Sequence, residues 1–332
     1  MHRALVAVAF LVSACTGPEP GPEVTAPPAT PTVGPPAGPA WRTLAPAPTP
    51  RTEAVAATDG RMIFLLGGFA EDGGSISGVE VYDVNADAWS SAPEAPLAVN
   101  HAMAAMIGET VYLFGGYTDA LATPSDAAYA LAGSRWEQLP PMPEARAAGG
   151  AAFADGRIYI VGGVGERGLA TTTLAYHPPT RTWETAPGLL TPREHLGVAS
   201  ETERLYAVGG RTGFDANLAA FEVFDPETGA WESLPDMPTA RGGLAAVVTG
   251  NGFLVAPGGE EAAGTFDEVE AYDLEEGEWL TLPPLPTARH GVAVAVAGAV
   301  VHVITGGPDP GYAFSTVHEA LDLSSVRARR DG

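Results

Sequence analysis

Lysine is absent from this chain, and cysteine occurs once, at Cys15. All 17 basic residues are arginine and stand against 40 acidic ones, giving a formal charge of −23. That balance excludes nucleic acid as a partner, because phosphate binding needs a basic face. A single thiol excludes any internal disulfide and any thiolate metal centre. Charged residues make up only 17% of the chain, and no stretch carries the 3.6-residue apolar period of a surface helix. Three local catalytic signatures are also missing: G-x-S-x-G, H-E-x-x-H and the phosphate-binding P-loop. Neither a cofactor nor a metal ion is expected on these grounds.

What is present begins with an address. Met1, His2 and Arg3 are followed by the apolar run "ALVAVAFLV", too short for a permanent span but suited to export. The run ends in "LVSAC", small residues leading to Cys15, which resembles the lipobox of bacterial lipoproteins. The resemblance implies a signal peptide over residues 1–14 and a lipidated Cys15. The protein would then be anchored in the cell envelope on the extracytoplasmic face of a membrane. Residues 16–40 are Pro-rich with little that can pack, so 15–40 reads as the lipidated cysteine and an extended tether.

From Trp41 onward the chain is periodic. Gly-Gly pairs fall at 67, 115, 162, 209, 258 and 306, and all six tryptophans fall at 41, 89, 136, 183, 231 and 279. Both series repeat every 47–49 residues, a period that points to a solenoid or a propeller. One unit reads as "AAGGAAFA", a D-G turn, "RIYIVGG", a loop, "TTLAYHP", a turn and "TWETAP", which is four strands.

The double glycine, the aromatic of the third strand and the tryptophan of the fourth resemble the kelch motif, in six copies over residues 41–323. The resemblance implies an all-β, six-bladed β-propeller with four strands per blade, followed by a short polar tail over 324–332. The last copy reads "VHEALDL", with Leu321 at the aromatic position and no tryptophan after it. "WRTLAP" at the start should therefore supply the missing fourth strand and close the ring, leaving no free sheet edge at the seam. A copper radical centre built on a Tyr–Cys crosslink, known in some kelch proteins, is excluded once Cys15 is committed to the N-terminus.

Two segments imitate binding motifs. "GVGERG" (163–168) has the glycine spacing of a dinucleotide loop, but a strand follows where the motif needs a helix. "DVNADAW" (83–89) has calcium-loop residues at three positions but Ala88 where the sharp turn needs glycine, so it reads as a turn.

Chemistry, if any, should sit where the repeats differ. Arginine stands 16 or 17 residues before the Gly-Gly in five units (Arg51, Arg146, Arg193, Arg241, Arg289), with Val99 in the second. The next two positions vary: Thr52-Glu53, Asn100-His101, Ala147-Ala148, Glu194-His195, Gly242-Gly243 and His290-Gly291. The loops after each Gly-Gly begin with Phe69, Tyr117, Val164, Arg211, Glu260 and Pro308. The arginine ring is either scaffold or a ligand-binding channel mouth, joined there by Asn100, His101, Glu194, His195 and His290. Phe69, Tyr117 and Arg211 would add stacking and charge. Equally, loop acids (Asp72, Asp119, Glu166, Asp215, Asp309) could neutralise the arginines.

Two functions fit. One is a monomeric binding module that presents its loop face to an extracellular or periplasmic protein or glycan. The other is an enzyme resembling the sialic acid mutarotases, with Glu194 and His195 as the acid–base pair.

The anchor is tested by replacing Cys15 with Ser. The wild type is expected in the membrane fraction and the variant in the soluble one. A wild type that is already soluble contradicts the lipobox reading.

Overall fold

The computed structural model describes residues 38–121 and 123–326. The expected signal peptide, Cys15 and nearly all of the expected tether (residues 1–37) lie outside the described residues, as does the end of the tail.

Short alternating strands separated by Gly, Asp and Pro turns give six four-stranded antiparallel sheets. The first blade comprises Val55–Thr58, Met62–Leu66, Val79–Asp83 and Ala88–Ala92. Blade 6 is closed as expected: Ala293–Ala297, Val300–Ile304 and His318–Asp322 are completed by Trp41–Thr43 from the other end of the chain. There Trp41 pairs with Leu321, the residue that replaces the usual aromatic. The fold is an all-β six-bladed propeller. Within it, "GVGERG" forms part of a small hairpin, Val164–Gly165 against Gly168–Leu169. "DVNADAW" is a turn in which Asp83 Oδ1 accepts the Asn85 and Ala86 amides.

Adjacent blades are held by two belts. At the outer belt each tryptophan indole N–H donates to a carbonyl of the preceding blade. Trp89 reaches Ala45 (2.8 Å), Trp136 reaches Pro93 (2.9 Å) and Trp183 reaches Pro140 (3.0 Å). Trp231 reaches Pro187 (3.0 Å), Trp279 reaches Pro235 (2.8 Å), and Trp41 closes the belt on Pro283 (2.9 Å). Near the axis, the second of two consecutive left-handed residues in each blade donates its amide to the arginine-slot carbonyl of the next blade, as in Gly163 to Arg193 (2.9 Å). Five blades have glycine at the first of these positions, where a Cβ on Gly162 would lie 2.8 Å from the Arg193 carbonyl oxygen, at φ +62°.

Blade 6 departs from the expected phase by one residue. Thr305 (φ 56°) and Gly306 (φ 94°) take the two left-handed positions, not Gly306 and Gly307. The loop position read as Pro308 is therefore Gly307, which bridges His290. Arg289 then stands 16 residues before its pair, like Arg51, Arg146 and Arg193.

The seam contains a buried histidine pair. His302 Nδ1 lies 3.0 Å from His318 Nε2, and His318 Nδ1 lies 3.3 Å from the Ala45 carbonyl. The carbonyl can only accept, so His318 donates to it and accepts a hydrogen bond from His302. Asp87 holds the Ala45 amide and the Tyr82 hydroxyl, both at 2.8 Å. Burial pushes His302 down to about 4 and His318 down to about 3.

Two outcomes are expected. A chain beginning at residue 47 should melt well below one beginning at residue 38, and Trp41→Ala should cost about 3 kcal/mol, the low end for a half-buried indole. Equal melting temperatures for the two truncations would rule out closure by this strand. The pH dependence follows from proton counting. His302, His318 and His101 (also lowered, to about 4) bind protons more readily unfolded, so their stability is full above pH ~6.5 and is lost as the pH falls toward 4. His290 and Glu319 are raised and have the opposite sign, but the lowered carboxyls of Glu53 and Glu194 add to the three histidines. The melting temperature should fall between pH 6.5 and 4, and His302→Phe should flatten that fall.

Candidate functional site

The residue two places after the arginine slot stands just ahead of the innermost strand in every blade. In all six it has a left-handed backbone: Glu53 (φ 53°), His101 (50°), Ala148 (54°), His195 (51°), Gly243 (68°) and Gly291 (57°). This conformation turns each amide toward the neighbouring blade. His101 donates to Glu53, Ala148 to His101, His195 to Ala148, Gly243 to His195, Gly291 to Gly243, and Glu53 to Gly291, at 2.8–3.1 Å. The six bonds form a closed girdle around the axis. It rims a channel of about 320 Å³ whose walls are the Ala- and Val-rich inner strands.

One position earlier, Thr52, Asn100, Ala147, Glu194, Gly242 and His290 bridge the residue that starts each loop: Phe69, Tyr117, Val164, Arg211, Glu260 and Gly307. Side chains of these two layers form one polar network. Asn100 Nδ2 donates to Ser75 Oγ (2.8 Å) and the Ala120 carbonyl (3.0 Å), and its Oδ1 faces His101 Nδ1 at 2.6 Å. His101 Nε2 lies 3.4 Å from Glu53 Oε2. The other Glu53 oxygen lies 3.3 Å from His290 Nδ1, which is 3.5 Å from Glu260 Oε2. Arg211 binds Glu260 at 2.7 Å and Glu194 at 3.1 Å, and the second Glu194 oxygen lies 3.1 Å from His195 Nδ1.

The electrostatics follow from burial and these neighbours. Burial lowers His101 to about 4. For Glu53, burial pushes upward, but His101 and the bond to His290 outweigh it and hold the carboxyl below its usual range. Glu194 is lowered to about 2: burial opposes this, and His195 with Arg211 overcomes it. His290 is raised despite burial, because Glu53 and Glu260 favour its cation. Burial lifts the Tyr117 phenol to about 12, so it stays neutral.

The arginine ring is not part of this site. Arg51, Arg146, Arg193, Arg241 and Arg289 are at most 1% exposed. Each donates to the carbonyl of the first residue of the left-handed pair that ends the second strand of its own blade: Gly67, Gly162, Gly209, Gly258 or Thr305. The loop acids do not neutralise them. Glu80, Glu222, Glu270 and Glu319 of the third strands pair with Arg51, Arg193, Arg241 and Arg289 at 2.5–2.8 Å. Blade 3 has Leu174 at the glutamate position, and Glu144 reaches Arg146 instead at 2.9 Å. Blade 2 lacks both partners: Val99 replaces the arginine and Tyr129, in the same register, replaces the glutamate. A channel mouth lined by guanidinium groups is therefore a misreading, because phase locates a residue along a strand and not the side its chain packs into.

Asn100, His101, Glu194, His195, His290 and Arg211 come together in this network, and of these six His101 and His195 line the channel. Phe69 and Tyr117 also meet there, with ring centroids 5.6 Å from His101, but both are buried and present no open stacking face. Glu53 and Glu260 are not among the expected site residues. Their signal is in the sequence, since both occupy the variable slots. No arginine of this network or of the ring is free for an acidic sugar: Arg211 is held by two carboxylates and the ring arginines are enclosed. The mutarotase reading has no support here.

Six closed blades around an axial girdle define a β-propeller built from repeated four-stranded units. Family models say which kind: the KLHDC2/KLHL20/DRC7 Kelch-repeats domain matches residues 40–194, and the Kelch motif matches residues 192–238. The chain is a kelch-repeat β-propeller. No curated protein matches it.

The scaffold role of the arginines has a sharp test. Arg193→Val strands a buried Glu222 and should cost about 3–5 kcal/mol. Adding Glu222→Tyr reproduces the uncharged arrangement of blade 2 and should recover much of that loss. A double variant no more stable than the single one would show that the pair is not an independent unit.

Proposed function

We infer that the propeller is a protein-binding module that engages its partner through the face carrying the second-to-third-strand loops and the inter-blade loops. The kelch-repeat fold supports this reading, and one observation carries it. Among the described residues five large apolar side chains are exposed, and four of them lie on that single face. Leu121, Phe214 and Tyr312 stand in the loops of blades 2, 4 and 6, and Leu190 stands between blades 3 and 4, each 49–59% exposed. The fifth, Phe153, lines the channel. Exposed apolar groups collected on one face, the aliphatic Leu121 and Leu190 among them, favour a protein surface over a glycan.

The same loops carry Glu71, Asp72, Asp119, Glu166, Asp215, Glu261 and Asp309. The partner surface that fits is apolar with basic residues around it. Anchoring through Cys15 would hold this face outside the cytoplasm, where the Pro-rich segment gives it reach.

Site-specific photo-crosslinking tests the reading. A photoreactive residue at Tyr312 or Phe214 should yield a protein adduct, and one at Asn85, on the opposite face, should not. Adducts from position 85 alone would place the interface elsewhere. Tyr312→Ala combined with Phe214→Ala should weaken the complex more than tenfold, since a buried aromatic anchor contributes about 2 kcal/mol or more, with little change in melting temperature.

A further inference from the structure

The girdle demands a left-handed backbone at six positions, a conformation that glycine accepts freely and other residues accept at a cost. Two positions are glycine. Of the other four, three carry Glu53, His101 and His195, and all three side chains reach the channel. Strain retained where glycine would serve points to a use for the side chains.

The lone pairs give that use. The Asn100 amide group is spent on Ser75 Oγ and backbone carbonyls, so its oxygen faces His101 and His101 Nδ1 must be the donor. That leaves the Nε2 lone pair facing Glu53 Oε2 at 3.4 Å. Two lone-pair atoms do not face each other in a buried site without a cation between them. The separation is too long for a charge-assisted hydrogen bond, which would be about 2.7–2.9 Å. It matches the edge of a tetrahedron with metal–ligand bonds of about 2.0–2.1 Å, roughly 3.3 Å. His195 brings a third donor atom, and all three lie within 4.8 Å of one another.

We propose that Glu53, His101 and His195 form a two-histidine, one-carboxylate site on the propeller axis for a divalent transition-metal ion, with Zn²⁺ the simplest occupant. Each ligand is oriented from behind. Asn100 holds His101, Glu194 lies 3.1 Å from His195 Nδ1, and His290 faces the second Glu53 oxygen at 3.3 Å. Such outer partners fix the tautomer and direction of metal ligands. Three protein ligands leave coordination positions open toward the channel, the arrangement of sites that bind water or a small substrate. The polar network also sets three carboxylates (Glu53, Glu194, Glu260) against Arg211 and His290, so negative groups outnumber positive ones and a cation among them is favoured. A second donor group, Glu53, Glu260 and His290, is a poorer site. Arg211 and the Gly311 amide already occupy the Glu260 oxygens, and neither Glu260 nor His290 lines the channel. The three ligands come from three different blades, which is why no local metal motif is visible in the sequence.

The test is titration of the chelator-stripped full-length protein with Co²⁺, read by visible absorption, followed by displacement with Zn²⁺. One Co²⁺ per chain with ligand-field bands is expected. Glu53→Gln, His101→Asn and His195→Asn should abolish it; asparagine tolerates the left-handed backbone, so the girdle survives. Asn100→Ala and Glu194→Gln should weaken binding about 10–100-fold. Ala148→Gly, in the same girdle, should bind as the wild type does. Circular dichroism checks that each variant is folded. The proposal is overturned if the wild type shows no band, meaning that a proton alone fills the gap. It is equally overturned if binding survives His195→Asn but is lost in His290→Asn.

Discussion

The cyclic set of six backbone hydrogen bonds at the axis constrains the rest of this structure. Each blade hands one amide to its neighbour, and the last bond, Glu53 to Gly291, closes the circle across the chain's two ends. Because the bonds require a left-handed turn, they set where each innermost strand begins and which way the preceding residues point. The arginine slot, two residues earlier, is thereby directed into the blade, and the intervening residue is brought against the loop that follows the Gly-Gly. The outer belt of indole N–H bonds repeats the closure at larger radius, again with one bond, Trp41 to Pro283, crossing the seam. With no disulfide available, these two crossings, the Trp41–Thr43 strand pairing and bonds such as Gly306 to Arg51 join the start of the chain to its last two blades.

Buried charge in the arginine ring comes in pairs. A guanidinium taken out of water is tolerable only when carbonyls and a carboxylate replace its hydration, and removing either partner leaves a stranded charge. The blades obey this in three ways. Four use a third-strand glutamate, blade 3 moves the carboxylate to Glu144, and blade 2 discards both charges for Val99 and Tyr129. Burial lowers the pKa of Arg193 and Glu222 offsets that effect. Such pairing explains how so acidic a chain keeps five arginines inside. It also frees the variable positions beside them for other uses.

Much of the fold is legible in the amino-acid sequence. Six tryptophans and six glycine pairs at one period set the blade number, and the missing tryptophan after Leu321 identifies the closing strand. The arginines are misplaced by the same reasoning because periodicity reports position along a strand, whereas packing decides which way a long side chain turns. Their partners are nevertheless written in the chain, as the glutamate two residues before the third-strand aromatic in "VEVYD", "FEVFD" and "VEAYD". The axial cluster is legible only in part. Asn100, His101, Glu194, His195 and His290 stand out by breaking the repeat, but Glu53 is joined to them through contacts between blades, to His101 of blade 2 and His290 of blade 6. Blade 6 reads one residue out of phase because Thr305 takes the backbone position that a glycine holds in the other five.

The girdle, and not the arginine ring, is the proposed seat of metal chemistry in this propeller. Anomalous scattering from crystals grown with Zn²⁺, recorded on both sides of the zinc edge, tests it most directly. The expected result is a peak on the axis within coordination distance of Glu53, His101 and His195. Zinc found only at the loop face, with His101 Nε2 bonded to Glu53 and no density between them, would contradict it.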